Sequence, residues 1–311
     1  MLRGSFAGHS PGMQFLMIIF LAVLGLTVFS LLGFLLIPLI YSVSLNDLLD
    51  ASQNGEGFSS QVLKFLQGLS SIGLFLVPAL FAAHLFALNG AKYLRIDRFP
   101  KKWLPVLFLL VVITLSGNVL SDLLYRISKS MPWPESLAFL EEIIARSESS
   151  MTKQVQQFLV MNTPYDFVQM FFIMAVLPAV CEEAMFRGAL QPVLIKLTKN
   201  THFGILFTAF LFGLMHMQFY TFLSIFVLGV VLGYVRQWTN SLWPAMIIHL
   251  INNGSIVVAV YFYNINYLSA NDLSEAWDWK LGIPGLLVFM VAMAGLYKLV
   301  NPKKESPILK G

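Results

Sequence analysis

Charge is scarce in this chain. Only 12% of its 311 residues are charged and 57% are hydrophobic, whereas an ordinary soluble domain carries about 25% charged residues. Mean hydropathy is +0.74. A soluble multidomain organisation is therefore excluded, and domain counting from length does not apply. The net charge is only +4, and the basic residues gather in particular loops. That pattern suits membrane topology and leaves no case for a nucleic-acid partner. There is a single cysteine, Cys181, so an intrachain disulfide is excluded. Its thiol reads as a small buried hydrophobe rather than as a nucleophile paired with a histidine. Several catalytic signatures are also missing: no H-E-x-x-H zinc motif, no G-x-S-x-G nucleophile elbow and no glycine-rich phosphate loop. Asp166 has no second intramembrane aspartate to form an aspartyl dyad. No internal repeat is visible.

What the chain has is long apolar runs. A bilayer core of about 30 Å needs roughly 20 apolar residues per helix. Eight runs come close or qualify: 13–41, 68–89, 103–125, 166–196, 202–217, 219–236, 241–263 and 281–299. The first is too long for the core of a signal peptide and is read as a mature span. The fifth and sixth are short and meet at Gln218, which predicts a helical hairpin. Loop charges alternate. Lys92, Arg95, Arg98, Lys101 and Lys102 lie on one side, with Lys196, Lys199, Arg236, Lys298, Lys303, Lys304 and Lys310. Asp47, Asp50, Glu56, Glu135, Glu141, Glu142, Glu148, Asp272, Glu275 and Asp278 lie on the other. The expectation is an all-α polytopic membrane bundle with about eight transmembrane helices and both termini cytoplasmic. It forms one integral-membrane domain, 1–311, in the plasma membrane if the source is prokaryotic. Between the third and fourth spans, Leu137, Phe139, Leu140, Ile143 and Ile144 recur at helical spacing opposite Glu141, Glu142 and Arg146. This predicts an amphipathic helix on the outer surface, either a packed connector or a lid.

Three polar clusters interrupt the apolar runs. Glu182 and Glu183 are followed by Arg187. His216 comes four residues after Phe212. His249 precedes Asn253 by one turn. Each ionisable group at such a depth costs about 2.5–3.5 kcal/mol on insertion scales, and such groups are usually functional. At 1.5 Å per residue, Glu182 and His216 lie roughly 20 Å above the basic face, with His249 and Asn253 at about 12 and 18 Å. Three helices thus bring polar groups to one slab. Glu183 and Arg187 share a helix face and can pair, whereas Glu182 projects about 100° away and is free for another role. Pro178 kinks the helix just before the glutamates. The blander reading makes each group a separate packing device: an interhelical clamp, a hydrogen-bonded histidine, a bridging asparagine. With those catalytic signatures missing, what remains is water activated by a carboxylate, with His and Asn orienting it.

These motifs resemble a known family. Glu182-Glu183-Ala-Met-Phe-Arg187 matches E-E-x-x-x-R, Phe212-Gly-Leu-Met-His216 matches F-x-x-x-H, and His249-Leu-Ile-Asn-Asn253 matches H-x-x-x-N. Together they are the motifs of the CPBP intramembrane metalloproteases, the group of type II CAAX prenyl endopeptidases and Abi bacteriocin-immunity proteins. Gly188, Leu190-Gln191 and Ser241-Leu-Trp-Pro244 accompany them similarly. The resemblance covers about 165–260, which would be the catalytic core. It implies an intramembrane endopeptidase acting on membrane-associated, membrane-inserted or prenylated protein or peptide substrates. Glu182 would be the general base. His216 would orient the water or bind a metal. His249 and Asn253 would stabilise the oxyanion or bind that metal, and Glu183 would hold Arg187. Zn²⁺ on His216, His249 and Glu182 and a metal-free glutamate mechanism both use this set. The alternatives are a non-catalytic scaffold or immunity factor binding peptides at the same site, and a proton-coupled transporter, for which no inverted repeat is found.

Overall fold

A computed structural model describes residues 2–44, 46–47, 58–269 and 282–301. The charged positions Asp50, Glu56, Asp272, Glu275, Asp278, Lys303, Lys304 and Lys310, read above for topology, lie outside the described residues. Among the described residues all regular structure is helical. In chain order the main helices are α1 (Pro11–Tyr41), α2 (Ser60–Phe86), α3 (Gly90–Leu94), α4 (Trp103–Ser130), α5 (Ala138–Phe158), α6 (Pro164–Thr198), α7 (Thr201–Met215), α8 (Phe222–Thr239), α9 (Trp243–Asn264) and α10 (Gly282–Val300). Seven of them are long and apolar enough to cross a membrane: α1, α2, α4, α6, α8, α9 and α10. The expected eighth, α7, is apolar but has only 15 residues. It reaches about 22 Å, short of a 30 Å core. The chain is a polytopic helical bundle and an integral, multi-pass membrane protein.

Local chemistry sets the helix ends. Thr163 and Asp166 form a reciprocal capping box at the start of α6, with Pro164 in the first turn; both choices satisfy or avoid the free N–H groups of a helix start. Lys199, in the left-handed conformation at φ 53°, stops α6. Asn200 then accepts hydrogen bonds from the His202 and Phe203 amides to start α7. Asn240, at φ 52°, makes the corresponding stop after α8. The last carbonyls of α2 are capped from outside: Gly4 N donates to His84 O at 2.9 Å and Phe6 N to Leu85 O at 2.8 Å.

Two long helices contain wide, π-type turns, and each lies just ahead of a proline. The segments are Ile72–Leu76 before Pro78, Phe172–Val176 before Pro178 and Ala184–Leu190 before Pro192. Proline has no N–H to give to the carbonyl one turn back, and its ring crowds that carbonyl. Widening the turn relieves both problems without ending the helix. The kink expected at Pro178 takes this form.

The apolar interior falls into two main clusters. One joins α1, α2, α6 and α7 through Ile18, Ala82, Phe186 and Phe212. The other joins α4, α8, α9 and α10 through Leu110, Leu232, Ile248 and Leu296. Small residues allow the close helix approaches: a Cβ on Gly25 of α1 would lie 2.1 Å from the Gly73 carbonyl of α2. Close packing of this kind replaces hydrophobic exclusion where the surroundings are lipid. The seam between the clusters, where α6 meets α9 and α8, holds the polar residues.

Candidate active site

The middle of α6 is buried on every side, every residue from Glu183 to Gln191 included. Polar groups buried there are costly unless paired, and most of them find partners, although Glu183 Oε2, Arg187 Nε and Gln191 Oε1 do not. Arg187 Nη1 donates to Glu183 Oε1 at 2.6 Å, and both side chains are fully buried. Arg187 Nη2 donates to the Gly229 carbonyl of α8 at 3.2 Å. One turn on, Gln191 Nε2 donates to the Gly233 carbonyl, also at 3.2 Å. Two side chains four residues apart on α6 thus reach two carbonyls four apart on α8. The glycines make this possible because Gly233 already lies against Gln191 and Ile205, where a Cβ would meet atoms at 3.0 and 2.7 Å.

The α9 cluster meets the same carboxylate. His249 Nδ1 lies 2.9 Å from Glu183 Oε1. A carboxylate oxygen accepts, so Nδ1 carries the proton in this bond. The other ring nitrogen, Nε2, faces Glu182 Oε2 at 3.9 Å. That distance is too long for a direct hydrogen bond and suits a bridging water. The two adjacent glutamates each keep a buried Oε2 without a partner but differ in what anchors them. Glu183 Oε1 is shared between Arg187 and His249. Glu182 keeps a side chain 14% exposed, and its buried Oε2 has no hydrogen-bond partner.

Asn253 lies one turn after His249 and reaches the same helix higher up. Its Nδ2 donates to Met174 O at 3.1 Å. Met174 is four residues before Pro178, so this carbonyl is the one to which the proline gives no N–H. Asn252 Nδ2 donates to Asn253 Oδ1 at 3.0 Å, which fixes which end of the Asn253 amide faces Met174. His216 joins through a ring rather than through the glutamates. Its Nδ1 bonds to Phe212 O at 2.8 Å. The Phe212 ring lies 4.8 Å from the His216 ring, 6.0 Å from that of His249 and 4.3 Å from the Arg187 guanidinium carbon. Phe212 is thus the aromatic hub between both imidazoles and the arginine.

His216 caps α7, and the turn to α8 follows immediately. Irregular backbone at membrane depth requires protein cover or a water-lined cavity. Cover comes from α5, whose Glu148 Oε1 accepts from the Tyr220 amide at 2.8 Å, and from Trp133, whose ring lies tilted 5.0 Å from that of Phe219. The amphipathic connector therefore packs over the turn beside His216. Phe139 and Ile143 of α5 remain exposed.

The donor types suit a metal. Each histidine commits Nδ1 to an oxygen and leaves Nε2, the habit of metal-bound imidazoles. Among the described residues, however, no three His, Cys, Asp or Glu side chains are grouped to hold an ion. The residues as arranged do not fit a three-ligand zinc ion.

The six residues read from the motifs thus divide into a hydrogen-bonded core, Glu183, Arg187 and His249, with Glu182 facing it at 3.9 Å and His216 and Asn253 attached through Phe212 and Met174. Gln191 and Ser241-Leu-Trp-Pro244 had been noted only as accompaniments. Gly229, Gly233, Met174 and Asn252 were missed. Gly229-x-x-x-Gly233 carried a readable signal, because that spacing in an apolar helix marks a close approach. Met174 was readable as the residue four before a proline. Asn252 offered no signal beyond its neighbour.

No curated protein and no solved structure matches the chain. A family model does match residues 164–255, the stretch from the start of α6 into α9 that carries all three clusters. It describes a type II CAAX prenyl endopeptidase, Rce1-like, and supports membrane-embedded protease activity of the CAAX type. The segment that builds this site is thus similar to the Rce1-like type II CAAX prenyl endopeptidases.

Proposed function

We propose that the chain is a CPBP-type intramembrane endopeptidase that hydrolyses peptide bonds with water activated by Glu182. One observation carries the reading: of two adjacent glutamates, Glu183 is anchored through Oε1 to both Arg187 and His249, whereas Glu182 is tied to neither and turns its buried, unpartnered Oε2 toward His249 Nε2 at 3.9 Å. A water between them donates one hydrogen to each acceptor and turns a lone pair toward an incoming carbonyl carbon. Glu182 takes one proton as the new C–O bond forms. The oxyanion is met by Asn253, whose Nδ2 keeps a second N–H beyond the one given to Met174. Glu182 then delivers its proton to the amide nitrogen as the C–N bond breaks, leaving a carboxylate and an amine. Glu183 and Arg187 position His249. His216 orients the water from the far side of Phe212. The substrates are membrane-associated, membrane-inserted or lipid-modified proteins or peptides, as suits a site walled by apolar helices and a family described by its action on prenyl substrates.

The test is Glu182→Gln, assayed on a membrane-anchored reporter peptide and by comparing membrane proteomes of variant and wild-type cells. Cleavage should fall about 10²–10⁴-fold with an unchanged melting curve, and an uncleaved protein should accumulate. Full cleavage by the variant would sink the proposal, and a preserved cellular phenotype without cleavage would favour a peptide-binding scaffold. Chelator treatment should leave activity in place; loss restored by Zn²⁺ would bring His216 in as a third ligand.

A further inference from the structure

At the basic end of the bundle, away from the glutamates, there is a cavity of about 390 Å³ between the N-terminal segment, the last turns of α2, and α3. Its polar lining is Arg3, His84 and Asn89, its apolar lining includes Leu80, Ala83 and Leu94, and no acidic residue lines it. The backbone bonds from Gly4 to His84 and from Phe6 to Leu85 hold Arg3 beside His84 over the end of α2. The nearby chain is strongly basic: Lys92, Arg95, Arg98, Lys101 and Lys102 follow, against Asp97 alone, which pairs with Arg98 at 3.7 Å.

The level of this cavity is marked independently. It lies where α2 ends, and at the same end Trp103 and Trp243 open α4 and α9. Trp243 Nε1 donates to Ile96 O, a residue of the cavity wall. Partly exposed tryptophans at helix ends mark the headgroup region. A cationic rim above an apolar wall, at headgroup depth, matches an anionic amphiphile. Leu80 of the wall and its neighbour Phe81 are exposed and continue an apolar track down α2.

We propose that this cavity binds the headgroup phosphate of an anionic phospholipid, with Arg3 and His84 meeting the phosphate and Leu80 and Leu94 the glycerol and first acyl carbons. The site is coupled to the catalytic helix. Leu94 lines the cavity and also abuts Gly188, where a Cβ would lie 2.8 Å from Leu94 Cδ2. Its neighbour Tyr93 donates to the Ala189 carbonyl at 3.2 Å. Both contacts fall in the wide turn that contains Arg187, so a bound lipid braces the floor beneath the Glu183–Arg187 pair.

The experiment uses the full chain in neutral detergent, titrated with phosphatidylglycerol, phosphatidylcholine or inorganic phosphate. Bound lipid is counted by native mass spectrometry, and the melting temperature is read in parallel. Wild type should retain phosphatidylglycerol over phosphatidylcholine and melt higher with it. Arg3→Gln should weaken retention about fivefold, the effect of one lost interfacial charge, and Arg3→Glu with His84→Glu should abolish it. Both side chains are exposed, so these variants should fold. Equal retention of phosphatidylcholine, unchanged retention by the double variant, or full competition by millimolar inorganic phosphate would each overturn the lipid site. None of these readouts depends on peptide hydrolysis.

Discussion

Helices α1 and α6 are the two longest, at 31 and 35 residues, and both pass for membrane spans by hydropathy. They bury opposite things. In α1 the buried positions form one narrow stripe, Gln14, Ile18, Ala22, Gly25, Gly33 and Ile37, while Leu35 and Leu39 are 71% and 80% exposed. In α6 the stretch from Glu183 to Gln191 is buried all round. Hydropathy detects spans but does not rank them by depth in the bundle. Small residues mark the face that touches protein, and charged residues mark the helix that lies inside it.

The comparison can be broken most severely at Arg187. Arg187→Met leaves Glu183 buried without its guanidinium, and removing one member of a buried pair costs about 3–5 kcal/mol. A large drop in melting temperature in detergent is expected; an unchanged one would mean that the cluster is not a unit. Next comes the small stripe of α1. Gly25→Ala places a Cβ against the Gly73 carbonyl, an overpacking that costs about 1–3 kcal/mol. Gly295→Ala on α10 is the control, because its nearest contact is an ordinary 3.6 Å to Leu109 Cδ2. If the two variants melt alike, the close α1–α2 approach is wrong. Asn253→Ala removes the bond to Met174 O, worth about 1 kcal/mol in stability. Its larger signature should be kinetic, a fall in kcat with little change in KM. The smallest effect belongs to the lipid-facing side. Leu39→Ala should stay within about 0.5 kcal/mol, and a greater loss would show that α1 has a protein neighbour there.

Much of this was legible because charge in an apolar run is a loud signal. Glu182, Glu183, Arg187 and His249 stood out in the sequence, and the structure brings them within contact of one another. The approximate spans followed from the apolar runs, whereas the helix ends at Thr163, Asn200 and Asn240 rest on local capping that the runs did not show. Other features were hidden because they rest on backbone carbonyls, which every residue has. Arg187 bonds to Gly229 and Gln191 to Gly233, and nothing in those acceptors distinguishes them from other main-chain oxygens. The short fifth run and the turn near Gln218 were legible, but not that α7 ends at Met215 and falls short of a span. Met217 extends the apolar run past the end of the helix as far as Gln218, so composition places the break later than the backbone does.

The wide turn at Phe172–Val176 has a consequence for how such a chain can change over time. Each residue added to or removed from a helix rotates everything beyond it by about 100° and shifts it by about 1.5 Å. The glutamates lie just past this turn and meet α9 in one orientation only. Substitutions within the turn alter a wall that lipid or neighbouring helices can refit. A one-residue deletion there is a different kind of event: it would swing Glu183 away from His249 while leaving composition, hydropathy and all three motifs intact. Homologous sequences in which this interval differs by one residue would match every letter of the motifs and still lack the site.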